Sequence, residues 1–217
     1  MQKFSDLGLA PAIAKALEKA GYDTPTPVQG EAVPAAIAGR DLLVSAQTGS
    51  GKTAAFLLPA LTRVSERSKG AGNGPRVLVL TPTRELAQQV EKNAQIYGEE
   101  LRWLRTVTLV GGASFGFQTR ALSRPVDIIV ATPGRLMDHM RSGRIDFSRL
   151  EMLILDEADR MLDMGFIEDI ETIVAATPSE RQTLLFSATL DGIVGKMAER
   201  MTRDPQRIEI ERKEESG

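Results

Sequence analysis

The chain has 217 residues, 42% hydrophobic and 26% charged, enough for one large domain or two small ones around a buried core. It has no cysteine, which excludes disulfides and thiolate metal sites, and no apolar run near the ~20 residues a membrane-spanning helix needs. A formal charge of −2 and a pI of 5.6 exclude nucleic-acid binding by bulk positive charge, though not binding through a few placed groups. The opening MQKFSDLGLA lacks the basic-then-apolar pattern of a secretory signal, so a cytoplasmic protein without membrane contact is expected.

In chain order, short apolar runs alternate with helical stretches. The runs are 41–46 (DLLVSA), 76–81 (RVLVLT), 106–110 (TVTLV), 127–131 (DIIVA), 152–156 (MLILD) and 183–189 (TLLFSAT). They are brief, rich in Val, Ile and Leu and nearly continuous, as in strands buried on both faces of a parallel sheet. Helices are predicted near 53–66, 84–98, 134–142, 157–163 and 167–176. This alternation predicts a doubly wound α/β fold, a mostly parallel sheet with helices on both faces. Residues 68–74 (SKGAGNG) read as a surface loop, and 211–217 (ERKEESG) as a charged tail or linker. Ligands of such sheets bind at the carboxyl ends of the strands. The chemically suggestive stretches 45–53, 81–85, 131–135, 156–159 and 187–189 each follow a run.

The first of them is a phosphate-loop pattern: Ala46, Gln47, Thr48, Gly49, Ser50, Gly51, Lys52 and Thr53, with Ala46 in place of the first Gly. Gly49 and Gly51 let the backbone turn its N–H groups inward, and the helix that follows adds its N-terminal dipole. Lys52 would reach the β and γ phosphates, and Thr53 would ligand Mg²⁺. An ordinary Gly-rich turn is the plainer alternative; the strand before and the helix after argue against it. The second is LILDEAD (153–159), with two adjacent carboxylates at a buried strand end. Burying them is costly without a cation, which a phosphate-bound Mg²⁺ would supply. Asp156 is placed to hold the metal through water, and Glu157 to orient or deprotonate an attacking water.

These motifs stand with GYDTPTPVQ (21–29), PTREL (82–86), GG (111–112), TPGR (132–135) and SAT (187–189). Their order and spacing resemble the DEAD-box RNA helicases, ATPases with two RecA-like domains, from Phe4 to about residue 210. The text of 39–59 and 161–170 resembles bacterial members of the RhlE type. The resemblance implies an ATP-dependent, RNA-stimulated ATPase and helicase that binds ATP or ADP with Mg²⁺. A nucleotide-gated RNA clamp or scaffold without an unwinding role stays open as the alternative. A DNA-directed or non-helicase phosphate-loop ATPase is a third reading, disfavoured by Gln29 and TPGR.

In the family, the Gln of the first motif reads adenine, here Gln29. Its amide can pair with adenine N6 and N7, whereas guanine O6 would meet the same amide acceptor to acceptor. Phe4 matches the aromatic that stacks on the base, and Tyr22 and Thr24 would line the same pocket. TPTREL and TPGRL each set Thr then Pro before a helix, a start whose unpaired N–H groups suit an anion, with Arg84 or Arg135 beside it. Alone, each would be an ordinary capped helix. The resemblance assigns Pro82, Thr83, Arg84, Gly112, Thr132, Gly134 and Arg135 to the backbone of one RNA strand. It assigns Ser187 and Thr189 to the link between ATP state and RNA opening, and Asp159 to the link between the acidic motif and its neighbours.

The expected organisation is an N-terminal RecA-like domain over 1–210, its first 30 residues carrying the Gln29 motif, then the start of an interdomain linker at 211–217. The family's second domain carries a His-Arg pair, whereas the single histidine here, His139, precedes Met140. The second domain is therefore expected to lie outside this sequence, leaving a monomeric, nearly inactive half. Three residues receive plain readings: His139 at the surface, Trp103 in local packing, and Met161 and Met164 as core filler.

Overall fold

The structure is a computed structural model that describes residues 2–47, 49–68 and 70–210. Thr48, placed by sequence in the phosphate loop, and the linker at 211–217 lie outside the described residues. After a short 3₁₀ turn at Phe4–Asp6 come α1 (Pro11–Lys19) and α2 (Pro27–Ile37). Then follow β1 (Leu42–Ser45), α3 (Lys52–Val64), β2 (Val77–Leu80), α4 (Arg84–Tyr97) and β3 (Thr106–Leu109). Next are α5 (Phe115–Ala121), β4 (Ile128–Ala131), α6 (Pro133–Arg141), β5 (Met152–Leu155), α7 (Ala158–Asp163) and α8 (Ile167–Ala175). The described chain ends with β6 (Gln182–Ser187), α9 (Gly192–Met201) and β7 (Gln206–Glu209).

The strands form one sheet in the order β3-β4-β2-β5-β6-β1-β7, and every pairing is parallel. Alternate residues feed two cores. Val77, Val79, Met152, Ile154, Leu184 and Phe186 face the side covered by α1 to α4. Leu78, Leu80, Leu153, Leu155 and Leu185 face α6 to α9. Both faces are dry, so the central strands carry no polar alternation. β3 departs from that expectation. It is an edge strand, and Thr106 and Thr108 are only half-buried between buried Val107 and Leu109.

Several elements lie outside the sequence-based expectation. α1, α2, α5, α9 and β7 were not predicted, whereas the five predicted helices agree to within a residue or two. Among the described residues no helix is long and apolar enough to cross a membrane.

A buried carboxylate fixes the amino end of β1, the strand that leads into the phosphate loop. Asp41 accepts from Thr183 N at 2.9 Å and from Arg203 N at 2.8 Å, so it ties β1 to β6 and to the approach of β7. Asp41→Ala strands two backbone donors, and we expect a loss of about 2 kcal/mol by urea unfolding. An unchanged midpoint would mean that water replaces the carboxylate at no cost.

Candidate functional site

Apart from the Gln29 motif, which lies between α1 and α2, the motifs fall on the carboxyl edge of the sheet, divided by strand order. The loops after β3, β4 and β2 carry Gly112, the 132–135 stretch and the 82–84 stretch. The loops after β5, β6 and β1 carry Asp156 and Glu157, Ser187 and Thr189, and the phosphate loop. β2 and β5 are neighbours, so the two halves meet, and Asp156 N donates to Leu80 O at 2.8 Å.

On the β1 side, Gly49 and Gly51 have φ of +84° and +86°, a region closed to most side chains. A Cβ on Gly51 would lie 2.5 Å from Gln29 Nε2, so glycine there also lets α2 approach. Gly51 caps α3 without a side chain, which leaves the first N–H groups of α3 without a capping partner. Lys52 Nζ lies 2.9 Å from Asp156 Oδ1 and 3.3 Å from Glu157 Oε1. Asp156 is 2% exposed, and burial raises its pKa while Lys52 opposes the rise. The ammonium acts on Asp156 by charge and by hydrogen bonding, and Asp156 Oδ1 has no other donor. Glu157 Oε2 and Ser50 Oγ are buried without a hydrogen-bond partner.

These orphaned acceptors, the turned glycines and the uncapped helix suit a polyphosphate with a divalent cation. Among the described residues no cluster of three or more His, Cys, Asp or Glu could hold a metal by itself. A cation here would take phosphate oxygens for most of its ligands, with Asp156 and Thr53 as the protein's share.

The cavity beside this centre holds about 420 Å³ and is lined by Phe4, Tyr22, Thr24, Gln29, Lys52 and Thr53 among others. Phe4 is buried, and its N–H donates to Asp23 O at 3.0 Å, so it is anchored rather than loose. Gln29 is doubly engaged. Its Oε1 accepts from Thr26 N, and its Nε2 donates to Gly51 O, both at 3.0 Å. With Gln29 N reaching Thr26 Oγ1, this closes a capping box at the start of α2. One N–H and one lone-pair position remain on the amide for a base. α4 forms a wall that the motifs did not announce: Leu86, Gln89, Val90, Asn93 and Tyr97. Their spacing of i, i+3, i+4, i+7 and i+11 is one helical stripe, the signal that was available. Tyr97 meets Tyr22 edge-on at 5.9 Å, and burial, then Tyr22, pushes its pKa up to about 12.

Ser187 and Thr189 sit between the halves. Ser187 O accepts from Ala46 N at 3.0 Å, and Ser187 Oγ from Thr189 N at 3.4 Å. Asp159 Oδ1 accepts from Ala188 N at 3.4 Å, so the acidic motif touches SAT through backbone. On the β2–β4–β3 side, Arg84 and Arg135 converge on one loop. A Cβ on Gly112 would lie 2.9 Å from Arg84 Nη1, and Arg135 Nη2 donates to Ala113 O at 2.5 Å. Thr83 caps α4 by accepting from Leu86 N at 3.2 Å. Thr132 stands at the matching position of α6 without a side-chain cap bond. Pro82 is buried, and Gly134 has open space where a Cβ would go.

Three plain readings need correction. His139 is 0% exposed, because it shares a buried face with Leu136. Trp103 and Met164 are 55% and 45% exposed; Met164 follows α7 at its C-cap and leaves the core to Met161.

The fold is of the RecA-like α/β class. A crystal structure of a DEAD box protein from the hyperthermophile Methanococcus jannaschii matches it with a TM-score of 0.88 at 35% identity, over 96% of this chain and 56% of that one. The DEAD/DEAH box helicase family model matches residues 26–196. The ATP-dependent RNA helicase DeaD of Escherichia coli K12 is 47% identical over 208 residues, 96% of this chain and 32% of DeaD. The ATP-dependent RNA helicase SrmB of Haemophilus influenzae is 46% identical over 212 residues, 97% of this chain and 48% of SrmB. The chain belongs to the DEAD/DEAH box helicase family, and it spans about a third to a half of the length of these curated relatives.

The acidic centre carries measurable strain. Glu157 has φ 53° and ψ 52°, left-handed backbone that an L side chain enters at a cost of roughly 1–2 kcal/mol. Its ion pair with the half-exposed Arg160 returns less than ~1 kcal/mol, and in the largely buried pair with Lys52, which also has Asp156, desolvation offsets much of the Coulomb gain. Glu157→Gly is therefore expected to unfold at the same or higher urea concentration than the wild type. A clear loss of stability would show that the carboxylate's contacts outweigh the strain.

Proposed function

We propose that this chain is the ATP-binding domain of an ATP-dependent RNA helicase, coupling ATP binding and hydrolysis to RNA gripping and local duplex opening. The supporting observation is the division of one sheet edge into a polyphosphate-shaped half and a half where two arginines meet over a glycine loop. In this reading Gln29 presents its remaining N–H and lone pair to adenine, with Phe4, Tyr22 and Thr24 around the base. Ala46, Gln47, Thr48, Gly49, Ser50 and Gly51 cradle phosphate, and Lys52 holds the β and γ groups. Mg²⁺-ATP, when bound, supplies the bond to be cleaved and the divalent charge that offsets two carboxylates. Asp156 and Thr53 would hold the ion, partly through water, and Glu157 would orient or deprotonate the attacking water. Ser187 and Thr189 relay between the halves. Pro82, Thr83, Arg84, Gly112, Thr132, Gly134 and Arg135 grip one RNA strand by its backbone, with little sequence preference.

In the same reading, residues 1–210 are the N-terminal RecA-like domain and 211–217 begin a linker. A second RecA-like domain of the full protein supplies arginines to the γ-phosphate. Such arginines are worth about 10³–10⁵ in rate, so this chain alone turns over very slowly as a monomer and opens no duplex. We place the full protein in the cytoplasm and, from the text of 39–59 and 161–170, in the RhlE type.

Calorimetric titration with ADP and GDP, both with Mg²⁺, tests the base reading. We expect ADP to bind at least ~10²-fold tighter, as a site that pairs with one base edge should discriminate. Gln29→Ala should abolish the difference and weaken ADP itself, because Gly51 loses its brace. Equal ADP and GDP affinity in the wild type would leave a generic phosphate loop. In the two-domain protein, Glu157→Gln should retain ATP binding and lose turnover. RNA-dependent function that survived this change would favour the clamp.

A further inference from the structure

Behind the glycine loop lies a closed polar cluster to which neither motif chemistry nor the nucleotide site gives a role. Gln118, on α5, is buried, and its Nε2 donates to Val110 O at 2.9 Å. That bond orients the amide and turns Oε1 toward α6. Two donors meet this one oxygen: Arg135 Nε at 3.0 Å and His139 Nε2 at 2.8 Å. Oε1 only accepts, so His139 carries its hydrogen on Nε2, and in the neutral ring Nδ1 is a bare lone pair. Nδ1 is buried without a partner. The imidazole lies flat on Phe115, with centroids 4.1 Å apart and planes at 5°, and the Arg135 guanidinium carbon lies 5.1 Å from the same ring's centre. Arg135 thus has Nε on Gln118 and one Nη2 hydrogen on Ala113 O, which leaves three N–H groups for a phosphate.

We propose that Gln118 and His139 are positioning residues for RNA: through one shared oxygen they hold the Arg135 guanidinium and the 110–113 loop in register, and they do so only while His139 is neutral. This rests on reading Arg135 as a phosphate contact. A proton on Nδ1 would put a donor where there is no acceptor, and a second cation beside Arg135. Burial, then Arg135, lowers the pKa of His139, and Asp138 opposes them weakly. α5 faces the ring with the uncharged Phe115 and Gln118. On α8, the other helix packed against α6, Glu168 and Glu171 are exposed and Asp169 is half-buried, and none of the three acts on the ring's charge. For RNA affinity only the folded protein's value counts: the contribution of neutral His139 is present above that depressed value and is lost as pH falls through it. RNA affinity should then fall on acidification, against the usual trend of a protein gaining positive charge.

His139 is the single histidine, so nitrogen-15 NMR of its ring needs no assignment. We expect the Nε2–H tautomer at pH 7.5 and a titration midpoint below ~6.5. The Nδ1–H tautomer, or a midpoint at or above that value, overturns the proposal. Amide NMR titration of this chain with a uridine decamer gives the RNA affinity even when it is weak. As pH falls from 7.5 through the midpoint that the ring titration gives, the wild type should lose roughly fivefold, about one ordinary hydrogen bond, and Gln118→Ala should lose a similar factor already at pH 7.5. His139→Gln offers a donor that does not titrate, so its affinity should not vary over that range. A slope equal to the wild type's sinks the proposal, and this comparison decides even if Gln118→Ala does not fold. Arg135→Ala separates the layers. If it binds RNA like the wild type, the phosphate-contact reading itself fails. If it weakens binding while Gln118→Ala and acidification do not, only the positioning role fails.

Discussion

Parallel strands are the constraint on which everything else rests. Because all seven run one way, each strand delivers its carboxyl end to the same edge, and each return helix begins there. Helix starts expose N–H groups, so the edge attracts anions before any side chain is chosen. A protein of net charge −2 can therefore present anion-binding positions through a few placed groups. Strand order then does the sorting. Since β2 and β5 are neighbours, chain segments 75 residues apart meet at the boundary, where Asp156 N reaches Leu80 O.

The acidic centre shows how such an edge tolerates charge. Asp156 is almost wholly buried, and burial raises its pKa even with Lys52 2.9 Å away. A buried pair of this kind seldom adds stability over an apolar one. Glu157 adds left-handed backbone at the start of α7. Neither feature is explained by folding alone. Both become reasonable if a stronger cation than one ammonium is meant to share the site, and if the carboxylate must point where a relaxed backbone would not send it.

Much of this was legible because the two strongest sequence signals are physically independent. Unbroken apolar runs marked the strands dry on both faces, and glycine, lysine and carboxylate punctuation marked their carboxyl ends. What failed to show has specific causes. β7 is a short edge strand with Ile208 as its one buried residue, too little for a pattern. α2 is apolar on nearly every side, so it has no period, although Thr26 and Gln29 spell a capping box around Pro27. Gln29 was read for its amide alone, and its bond to Gly51 could not be seen without the fold. The α4 wall was hidden because Gln89 and Asn93 look like the solvent side of an amphipathic helix. His139 was misjudged for the opposite reason: polarity suggested the surface, while its spacing of i+3 from Leu136 placed it inside.

α4 has a further consequence. Its first residue is Arg84, over the glycine loop, and its stripe from Leu86 to Tyr97 lines the nucleotide-shaped cavity. One rigid rod of 14 residues thus borders both halves of the edge. A ligand that shifts or stiffens this helix from one side changes the free energy of binding on the other, and thermodynamics makes the effect mutual. Proximity alone does not establish coupling; a two-state element is needed. The SAT segment has the right connections for one. Ala188 N meets Asp159 of the acidic motif, and Ser187 O and Ala188 O are tied to Ala46 N and Ser45 Oγ on the phosphate-loop strand. These are single hydrogen bonds of 3.0 to 3.4 Å, each cheap to exchange. Beside a closely packed core they are the contacts that can change partners while the sheet stays as it is.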